Sequence, residues 1–319
     1  MHLTFLEVCK VKVVVKTNNL TRKDWLKYRT NGIGGSDVSI IAGINKYKSV
    51  YQLWLEKTKQ ATLGEDENDF THFGTILEPI VRKEFTLRTG IKVRQKHMLL
   101  QSEENPFMFA DLDGVINDNG ELCIFEAKTA SAYKREIWED GVPAEYILQV
   151  QHYMAVTGAK RTYIAALVGG NAFFYHVIER DEEMICKIIA MEKEFWNRYV
   201  LGGEEPPADG SEATTRYFNE KFNESNGRTI VLPDMALSAC EQYENLSNQI
   251  KELEIAKNAL ANQLKNYLGE AERGTVGEKT IAWKTVSKKC LDTRRLKSES
   301  PDVYKKYLTQ SSYRRFMVA

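Results

Sequence analysis

The sequence predicts an α/β fold in which a central mixed β-sheet is flanked by helices, with a C-terminal appendage of helical and β segments. Residues 107–128 indicate a β-hairpin around Asn119-Gly120, a dipeptide typical of two-residue hairpin turns. Apolar side chains lie on both faces of its second strand, at 122–125, which favours a sheet covered on both sides. Helical patterns precede and follow this hairpin. A composition of 43% hydrophobic and 28% charged residues is typical of a globular chain.

Each further element follows from a local signal, since Thr, Asp or Pro marks helix starts, Gly marks helix ends, and alternation marks strands. In chain order the sequence predicts a helix, a glycine-rich turn and a second helix within 20–60, a loop at 64–69, a helix at 75–89, strands at 91–100 and 107–128, helices within 131–157, strands at 162–168 and 173–179 around Gly169-Gly170-Asn171, and a helix from 181 to about 199.

The segment Gly202–Pro207 has the composition of a linker and divides the chain. We expect a core at 1–205, a linker or peripheral segment at 206–236, and a heptad helix plus basic tail at 237–319. Apolar residues recur at alternating spacings of four and three, which predicts either a coiled coil or one amphipathic helix docked on the body; they are Leu246, Ile250, Leu253, Leu260, Leu264 and Tyr267, with Lys257 interrupting them. The basic segment 284–315 is either a phosphate-binding surface or a solvated one.

Charge and cysteine content exclude several classes of protein. Lys and Arg number 44 and Asp and Glu number 44, so a uniformly basic nucleic-acid-binding surface is excluded and any such binding has to be local. Five cysteines without a CxxC pair exclude a disulfide framework and an obvious zinc site, which favours a reduced, intracellular setting.

No apolar run reaches the roughly 20 residues of a membrane span. The first 16 residues contain four charges and predict a strand or a sheet edge.

The hairpin register predicts a group of charged side chains on one face. If Asn119-Gly120 is the loop, Asp113 falls opposite Glu126, and residues that face each other across a ladder have Cβ atoms about 4.5–5.5 Å apart. Lys128 points to the same face as Glu126 because side chains alternate along a strand. The same register puts Asp111 opposite Lys128.

Two carboxylates that face each other repel, so one of them holds a proton or a cation lies between them. Carboxylate oxygens suit Mg²⁺, and such an ion polarises a phosphoryl oxygen and activates water. Lys128 would then orient or help deprotonate the attacking water and neutralise charge on the phosphate undergoing attack. The other interpretation of Glu126 and Lys128 is an ordinary ion pair on a surface hairpin, and the pattern alone leaves both open.

A second candidate site is the glycine-rich turn at 32–36. Its position before a helix would present backbone N–H groups to an anion, and Arg29 could add a charge-assisted contact. A plain turn with a helix cap is the alternative. The turn lacks the third glycine of a dinucleotide-binding motif and the Gly-Lys-Ser/Thr of a P-loop, which argues against nucleotide binding. Elsewhere, we expect His152 to be packed or hydrogen-bonded. The tryptophans expected in the core are Trp25, Trp54, Trp138 and Trp196, and of these Trp138 is the one best suited to stack on a base as the alternative.

Taken together, these motifs resemble the YqaJ-like viral recombinase family, the phage lambda exonuclease type of the PD-(D/E)XK nuclease superfamily. The matching pieces cover roughly residues 20–200 in the family's order. They are Trp25, Arg29 and Gly32–Asp37, then Phe73–Glu78, Asp113-Gly114 with Glu126-Ala127-Lys128, Gln149–Met154 and Val177–Glu182.

The resemblance implies roles for individual positions. Asp113 and Glu126 match metal-binding carboxylates, and Ala127 matches a residue whose backbone carbonyl also ligates the metal. Lys128 matches the catalytic lysine. The remaining matches are Glu78, a carboxylate that completes the metal site, Gln149, an active-site glutamine, and Arg29 and Ser36, which hold a terminal 5′-phosphate. Where lambda-type members have a small hydroxyl residue, this chain has Asp111, which would pair with Lys128, act as an extra acid or repel the 5′-phosphate.

The implied fold is a PD-(D/E)XK restriction-endonuclease-like core, and the implied activity is an Mg²⁺-dependent 5′→3′ exonuclease, in which Mn²⁺ would substitute. It would act on double-stranded DNA ends and leave 3′ single strands for a single-strand annealing protein, as a ring-shaped homo-oligomer in the cytoplasm of a bacterial host of a phage or prophage. The alternatives are a structure-selective or nicking endonuclease of the same superfamily and a non-catalytic DNA-binding recombination adaptor.

Overall fold

The computed structural model describes residues 11–60 and 69–318, and the chain divides between Phe218 and Asn219 into two compact units. The first ten residues and most of the predicted loop at 64–69 lie outside the described residues. The elements of the first unit are β1 Val11–Lys16, α1 Arg22–Arg29, β2 Ile33–Gly34, α2 Gly35–Ile41, α3 Val50–Lys57, α4 Asp69–Thr89, β3 Val93–Arg94, β4 Met98–Ser102, β5 Met108–Asp111, β6 Gly114–Asp118, β7 Glu121–Ala130, α5 Arg135–Asp140, α6 Ala144–Thr157, β8 Arg161–Val168, β9 Ala172–Glu179, α7 Glu182–Glu194 and a π-helical stretch Phe195–Leu201. Helix α8, Glu212–Lys221, crosses the division, and the second unit contains α9 Met235–Leu268, β10 Arg273–Val276, β11 Lys279–Ala282, α10 Thr293–Glu299 and α11 Pro301–Tyr307.

The first unit contains two mixed sheets, which confirms the α/β class but replaces the single sheet that the sequence predicts. One sheet has the order β3-β6-β7-β8-β9, with β7 and β8 parallel and the other pairs antiparallel. The other has the order β1-β4-β5-β2, in which β2 and β5 are parallel. The predicted strand 107–128 is therefore divided, because the chain leaves one sheet after β5 and enters the other at β6.

The β6–β7 hairpin has the predicted register. Its ladder pairs Asp118 with Glu121 and ends at Gly114 paired with Phe125. Asn119 and Gly120 both have positive φ, 53° and 95°, as this tight turn requires.

Both faces of this sheet are covered. On one face Ile124 packs in a cluster with Val150 and Met154 of α6. On the other face Phe125 packs with Val81 and Phe85 of α4. Helix α4 begins at Asp69, earlier than predicted, and its first turns carry exposed Phe70 and Phe73 instead of a buried stripe, so periodicity did not mark its start. Helix α6 ends at Thr157, which is also the end of the predicted helical range. Gly158 follows it with a φ of 72°.

Two rings are buried as the sequence predicts. His152 is fully buried and hydrogen-bonded to Glu192 and to the carbonyl oxygen of Phe109. Trp138 is also fully buried, and its ring stacks on Tyr146 with a centroid distance of 5.7 Å. Its predicted place in the core is therefore confirmed, and the alternative of stacking on a base is wrong because the ring is covered.

The second unit contains the predicted heptad helix. Helix α9 is 34 residues long, and its heptad positions are exposed, from 40% at Leu264 to 77% at Tyr267. A short β-hairpin of β10 and β11 follows it, and the basic segment contains α10 and α11. None of the described helices combines the length and the apolar character that crossing a bilayer requires.

Candidate active site

All of the predicted site residues line one cleft of the first unit, with a volume of about 730 Å³. They form two groups, one of Glu78, Asp113, Glu126, Ala127, Lys128 and Gln149, and the other of Arg29 and Ser36. The same cleft is therefore lined both by the carboxyl groups beside the hairpin and by the glycine-rich turn.

Asp113 and Glu126 lie next to each other at the end of the hairpin ladder. Asp113 precedes β6 and forms no ladder pair; instead its Oδ2 accepts a hydrogen bond from the backbone N–H of Ala127, with an N–O distance of 2.8 Å. The side chain of Asp113 thus takes the place of the next ladder bond. Glu126 is only 2% exposed and lies on β7.

Lys128 and Gln149 hold the Glu126 carboxylate. Lys128 Nζ donates to Glu126 Oε1 over 2.5 Å and to Gln149 Oε1 over 3.0 Å. Gln149 Nε2 donates to the same Glu126 oxygen over 2.7 Å and to the hydroxyl oxygen of Tyr153 over 3.1 Å. Burial opposes the charged form of Lys128, but the charges of Glu126 and Asp113 outweigh burial and raise its pKa, so this lysine is a cation.

Glu78 reaches the same region from α4. Arg82, one turn later on the helix, donates from Nη1 to Glu78 Oε1 over 3.2 Å and to the carbonyl oxygen of Asp113 over 3.0 Å. Arg82 therefore connects the helix to the segment that carries Asp113.

The protein environment disfavours the ionised forms of the three carboxyl groups. Burial, together with the charge of Asp113, raises the pKa of Glu126 to about 8 and that of Glu78 to about 7, and burial also raises the pKa of Asp113. Glu126 Oε2 is buried and has no hydrogen-bond partner. A divalent cation at this place would relieve both conditions, since it favours the ionised carboxylates and occupies a free oxygen.

The side chains do not by themselves enclose an ion. Over residues 11–60 and 69–318, no three His, Cys, Asp or Glu side chains form a group that could hold a metal. Lys128 and Arg82 instead occupy oxygens of Glu126 and Glu78. A closed protein cage is not needed for Mg²⁺, because this ion is held by one or two carboxylates and keeps several waters. The residues present fit such an ion.

In the second group of the cleft, Arg29 and Ser36 are in direct contact. Arg29 Nη2 donates to Ser36 Oγ over 2.9 Å and to Asp37 Oδ1 over 3.2 Å. Asp37 also accepts from the buried Lys57 over 2.7 Å and from the N–H of Gly34 over 3.0 Å. Although burial opposes ionisation, Lys57 and Arg29 hold the pKa of Asp37 well below its usual range. One N–H that the sequence suggested for an anion is thus already bonded to Asp37.

Glycine is required in this turn by close approach of other side chains. A Cβ on Gly34 would lie 2.7 Å from Arg29 Nη2, and one on Gly35 would lie 2.6 Å from the ring of Tyr153 and 2.9 Å from Gln149 Cγ. The turn therefore packs directly against Arg29 on one side and against helix α6 on the other.

The predicted pairing of Asp111 with Lys128 is wrong. Asp111 ends β5, where it pairs with Leu99 in the other sheet, and its Oδ2 accepts a hydrogen bond from Trp25 Nε1 over 2.7 Å. The hairpin register does not extend this far because the chain changes sheets between Asp111 and Gly114. The guanidinium of Arg29 lies over the ring of Trp25, with its Cζ 4.9 Å from the ring centroid.

Several cleft contacts were not predicted from the sequence. Arg82 and Tyr153 each follow a predicted residue by four positions on a helix, Glu78 and Gln149 respectively, so helical spacing could have identified them. The contacts of Lys57 and Trp25 join elements distant in sequence, and no local pattern indicates them.

Comparison with known proteins places these residues in a family. Residues 24–160 match the model of the YqaJ-like viral recombinase domain, a range that contains every predicted site residue. The protein YqaJ of Bacillus subtilis (strain 168) is 42% identical over 311 residues, covering 96% of this chain and 97% of that protein. Protein R354 of Acanthamoeba polyphaga mimivirus is 29% identical over 147 residues, 42% of this chain and 26% of that protein.

Among solved structures, an alkaline exonuclease, LHK-Exo, from Laribacter hongkongensis is 22% identical, with a TM-score of 0.47 over 62% of this chain and 97% of that one. A phage-related exonuclease from Haemophilus somnus 129PT is 16% identical, with a TM-score of 0.42 over 54% of this chain and 96% of that one. Because the match to the Bacillus subtilis protein extends over nearly the full length of both chains, this chain belongs to the YqaJ-like viral recombinase family.

Proposed function

We propose that the chain is a metal-dependent deoxyribonuclease of the PD-(D/E)XK type, a 5′→3′ exonuclease that hydrolyses linear double-stranded DNA and leaves 3′ single strands. The observation that carries this proposal is one cleft that contains both a set of buried carboxyl groups beside a lysine and an arginine–serine pair. The carboxyl groups, through a bound cation, together with the lysine would bind a phosphodiester. The arginine–serine pair would bind a terminal phosphate.

Asp113, Glu126, the backbone carbonyl of Ala127 and Glu78 would hold the ion, Mg²⁺ or, as a substitute, Mn²⁺. When bound, such an ion polarises a phosphoryl oxygen and stabilises the charge that develops during hydrolysis. The raised pKa values of Glu126 and Glu78 support the assignment. Without a cation the ionised forms of these carboxyl groups are disfavoured, so a bound cation would stabilise them strongly.

Lys128 and Gln149 would act on the substrate side. Lys128 remains protonated, so we assign it to orient the attacking water and to neutralise negative charge on the scissile phosphate. Gln149 bonds both Lys128 and Glu126 and would keep the amine and the carboxylate in a fixed relation.

Arg29 and Ser36 would bind the 5′-phosphate at the end of a duplex. This assignment favours an exonuclease over a structure-selective or nicking endonuclease, since an endonuclease needs no site for a chain end. The match to a viral recombinase domain supports a role in recombination. We further propose, from the family resemblance, that the protein acts with a single-strand annealing protein in the cytoplasm of a bacterial host, and that a ring-shaped homo-oligomer encloses the duplex. Such a ring would supply processivity that a chain with zero formal net charge does not gain from charge.

The proposal is tested with end-labelled linear duplexes, with and without a 5′-phosphate, in Mg²⁺ and in EDTA. We expect label at the 5′ end to be released early in Mg²⁺ and retained in EDTA. A covalently closed circular duplex is the matched control and should stay intact. Cleavage of the circle would establish the endonuclease instead, and absence of any cleavage would favour the non-catalytic adaptor.

A further inference from the structure

One carboxylate of the cleft, Asp111, acts on the arginine that is proposed to bind a phosphate. Asp111 lines the cleft together with Arg29 and Ser36, and it belongs to neither the proposed metal site nor the glycine-rich turn. Its contact is the hydrogen bond that Oδ2 accepts from Trp25 Nε1 over 2.7 Å.

This contact links Asp111 to the arginine. The indole that Asp111 holds lies under the Arg29 guanidinium, which is 4.9 Å from the ring centroid. A carboxylate that fixes the ring from its edge therefore fixes the surface on which the guanidinium rests. The polar contacts of Arg29 with Ser36 and Asp37 set its direction on the other side.

Two carboxylates already act on Arg29 before any phosphate binds. Asp37 forms ion pairs with Arg29 at 3.2 Å and with Lys57 at 2.7 Å, so these two cations share one carboxylate. The negative charge of Asp111 also acts on Arg29, and although burial opposes the charged guanidinium, Asp37 and Asp111 raise its pKa. A 5′-phosphate, with a charge of about −2, would therefore meet the repulsion of Asp111 beside Arg29, whereas a 5′-hydroxyl end would not be repelled.

We propose that Asp111 determines end specificity: it positions Trp25 beneath Arg29, and its charge reduces the preference for 5′-phosphorylated over 5′-hydroxyl DNA ends. The inference rests on the proposed exonuclease function. It predicts an enzyme that digests both kinds of end at similar efficiency, with Arg29 held in place by an acid that also weakens its selectivity.

The two effects of Asp111 are separable by substitution. Asp111→Asn keeps an oxygen that can accept from Trp25 Nε1 but removes the charge, so kcat/KM for 5′-phosphate ends relative to 5′-hydroxyl ends should rise about tenfold. That factor corresponds to about 1.4 kcal/mol of repulsion. Asp111→Ala removes the charge and the acceptor, so it should gain less selectivity than Asp111→Asn. Asp140→Asn, an exposed position on α5 outside the cleft, is the matched control and should leave the ratio as it is in the unsubstituted protein.

The readout is the ratio of kcat/KM values on paired duplexes at low and high salt, because a charge effect weakens with ionic strength and a packing effect does not. A ratio that Asp111→Asn raises at low salt, and raises less at high salt, supports the proposal. An unchanged ratio in a folded, active Asp111→Asn protein overturns it and leaves the exonuclease function standing. If the unsubstituted protein digests neither duplex in Mg²⁺, the proposed function itself fails.

Discussion

Asp113 Oδ2 accepts a hydrogen bond from the backbone N–H of Ala127 over 2.8 Å, just beyond the last pair of the β6–β7 ladder, which joins Gly114 to Phe125. This bond keeps the Asp113 side chain beside Glu126, although burial and the charge of Asp113 raise the pKa of Glu126. The closeness of the two acids is thus set by the strand backbone, which makes the pair a fixed feature of the hairpin.

Glu126→Gln and Lys128→Ala should each abolish digestion of linear duplex while DNA binding survives. The first replaces a charged oxygen of the proposed metal site, and the second removes the cation beside the scissile phosphate. We expect losses of at least about 10²-fold in kcat for Lys128→Ala. Cleavage assays together with gel-shift binding in Ca²⁺ or EDTA measure the two properties separately.

The control for this prediction is Lys187→Ala, an exposed lysine on α7 paired with Glu183, which should digest DNA like the unsubstituted protein. Undiminished digestion by Glu126→Gln or Lys128→Ala would remove these residues from the catalytic site and support the adaptor alternative.

The stability of the protein in EDTA should fall as pH rises. The pKa of Glu126 is raised to about 8 from an ordinary value of 4.5, so between these values the folded protein keeps a proton that the unfolded chain releases. The free energy of unfolding therefore decreases with pH through this window and levels off above it. Glu126→Gln removes this titration and should show a shallower decrease. Urea unfolding at pH 5.5, 7 and 8.5 measures both slopes, and equal slopes would contradict the assigned shift.

Deleting residues 237–319 should spare hydrolysis and impair processivity or partner binding. The first unit contains the whole cleft and its own buried clusters, whereas the exposed apolar residues of α9 lie in the deleted part. Digestion of labelled duplex with excess unlabelled DNA added after binding measures processivity. A shortened protein that is folded by circular dichroism but inactive in cleavage would refute this division of roles.

Trp138→Ala should destabilise the protein by about 3–5 kcal/mol, because the ring is fully buried and its removal leaves a large cavity. Tyr133→Ala, which is 98% exposed, is the control and should change the free energy of unfolding by less than about 0.5 kcal/mol. Denaturant unfolding compares the two. A stable Trp138→Ala protein with weakened DNA binding would restore the base-stacking role that the sequence suggested.

Local sequence patterns predicted the parts of the fold that depend on local physics. The positive φ values of Asn119 and Gly120 fix the turn, and the turn fixes the register, so the approach of Asp113 to Glu126 could be derived by counting. The end of α4 before Gly90 and the β8–β9 hairpin around Gly169 and Gly170 followed from glycines in the same way.

The errors arose where distant segments decide the structure. The change of sheet between Asp111 and Gly114 carries Asp111 to Trp25, which is 86 residues away in sequence, and no spacing rule reports that contact. The burial of Trp138 was expected, but the rings that pack against it, Tyr146 of α6 and His176 of β9, lie on other elements that no local pattern indicates. The roles of Glu78, Gln149, Arg29 and Ser36 came from family resemblance, and they stay predictions until they are measured.

In the proposed metal site, Asp113 and Glu126 hold a divalent ion beside Lys128. Anomalous scattering from crystals soaked in Mn²⁺ would locate that ion. We expect a peak within about 2–2.3 Å of oxygens of both carboxylates, and we expect it to disappear in Glu126→Gln. A fully soaked crystal with no peak between these side chains, or with the peak elsewhere in the cleft, would contradict the proposed metal site.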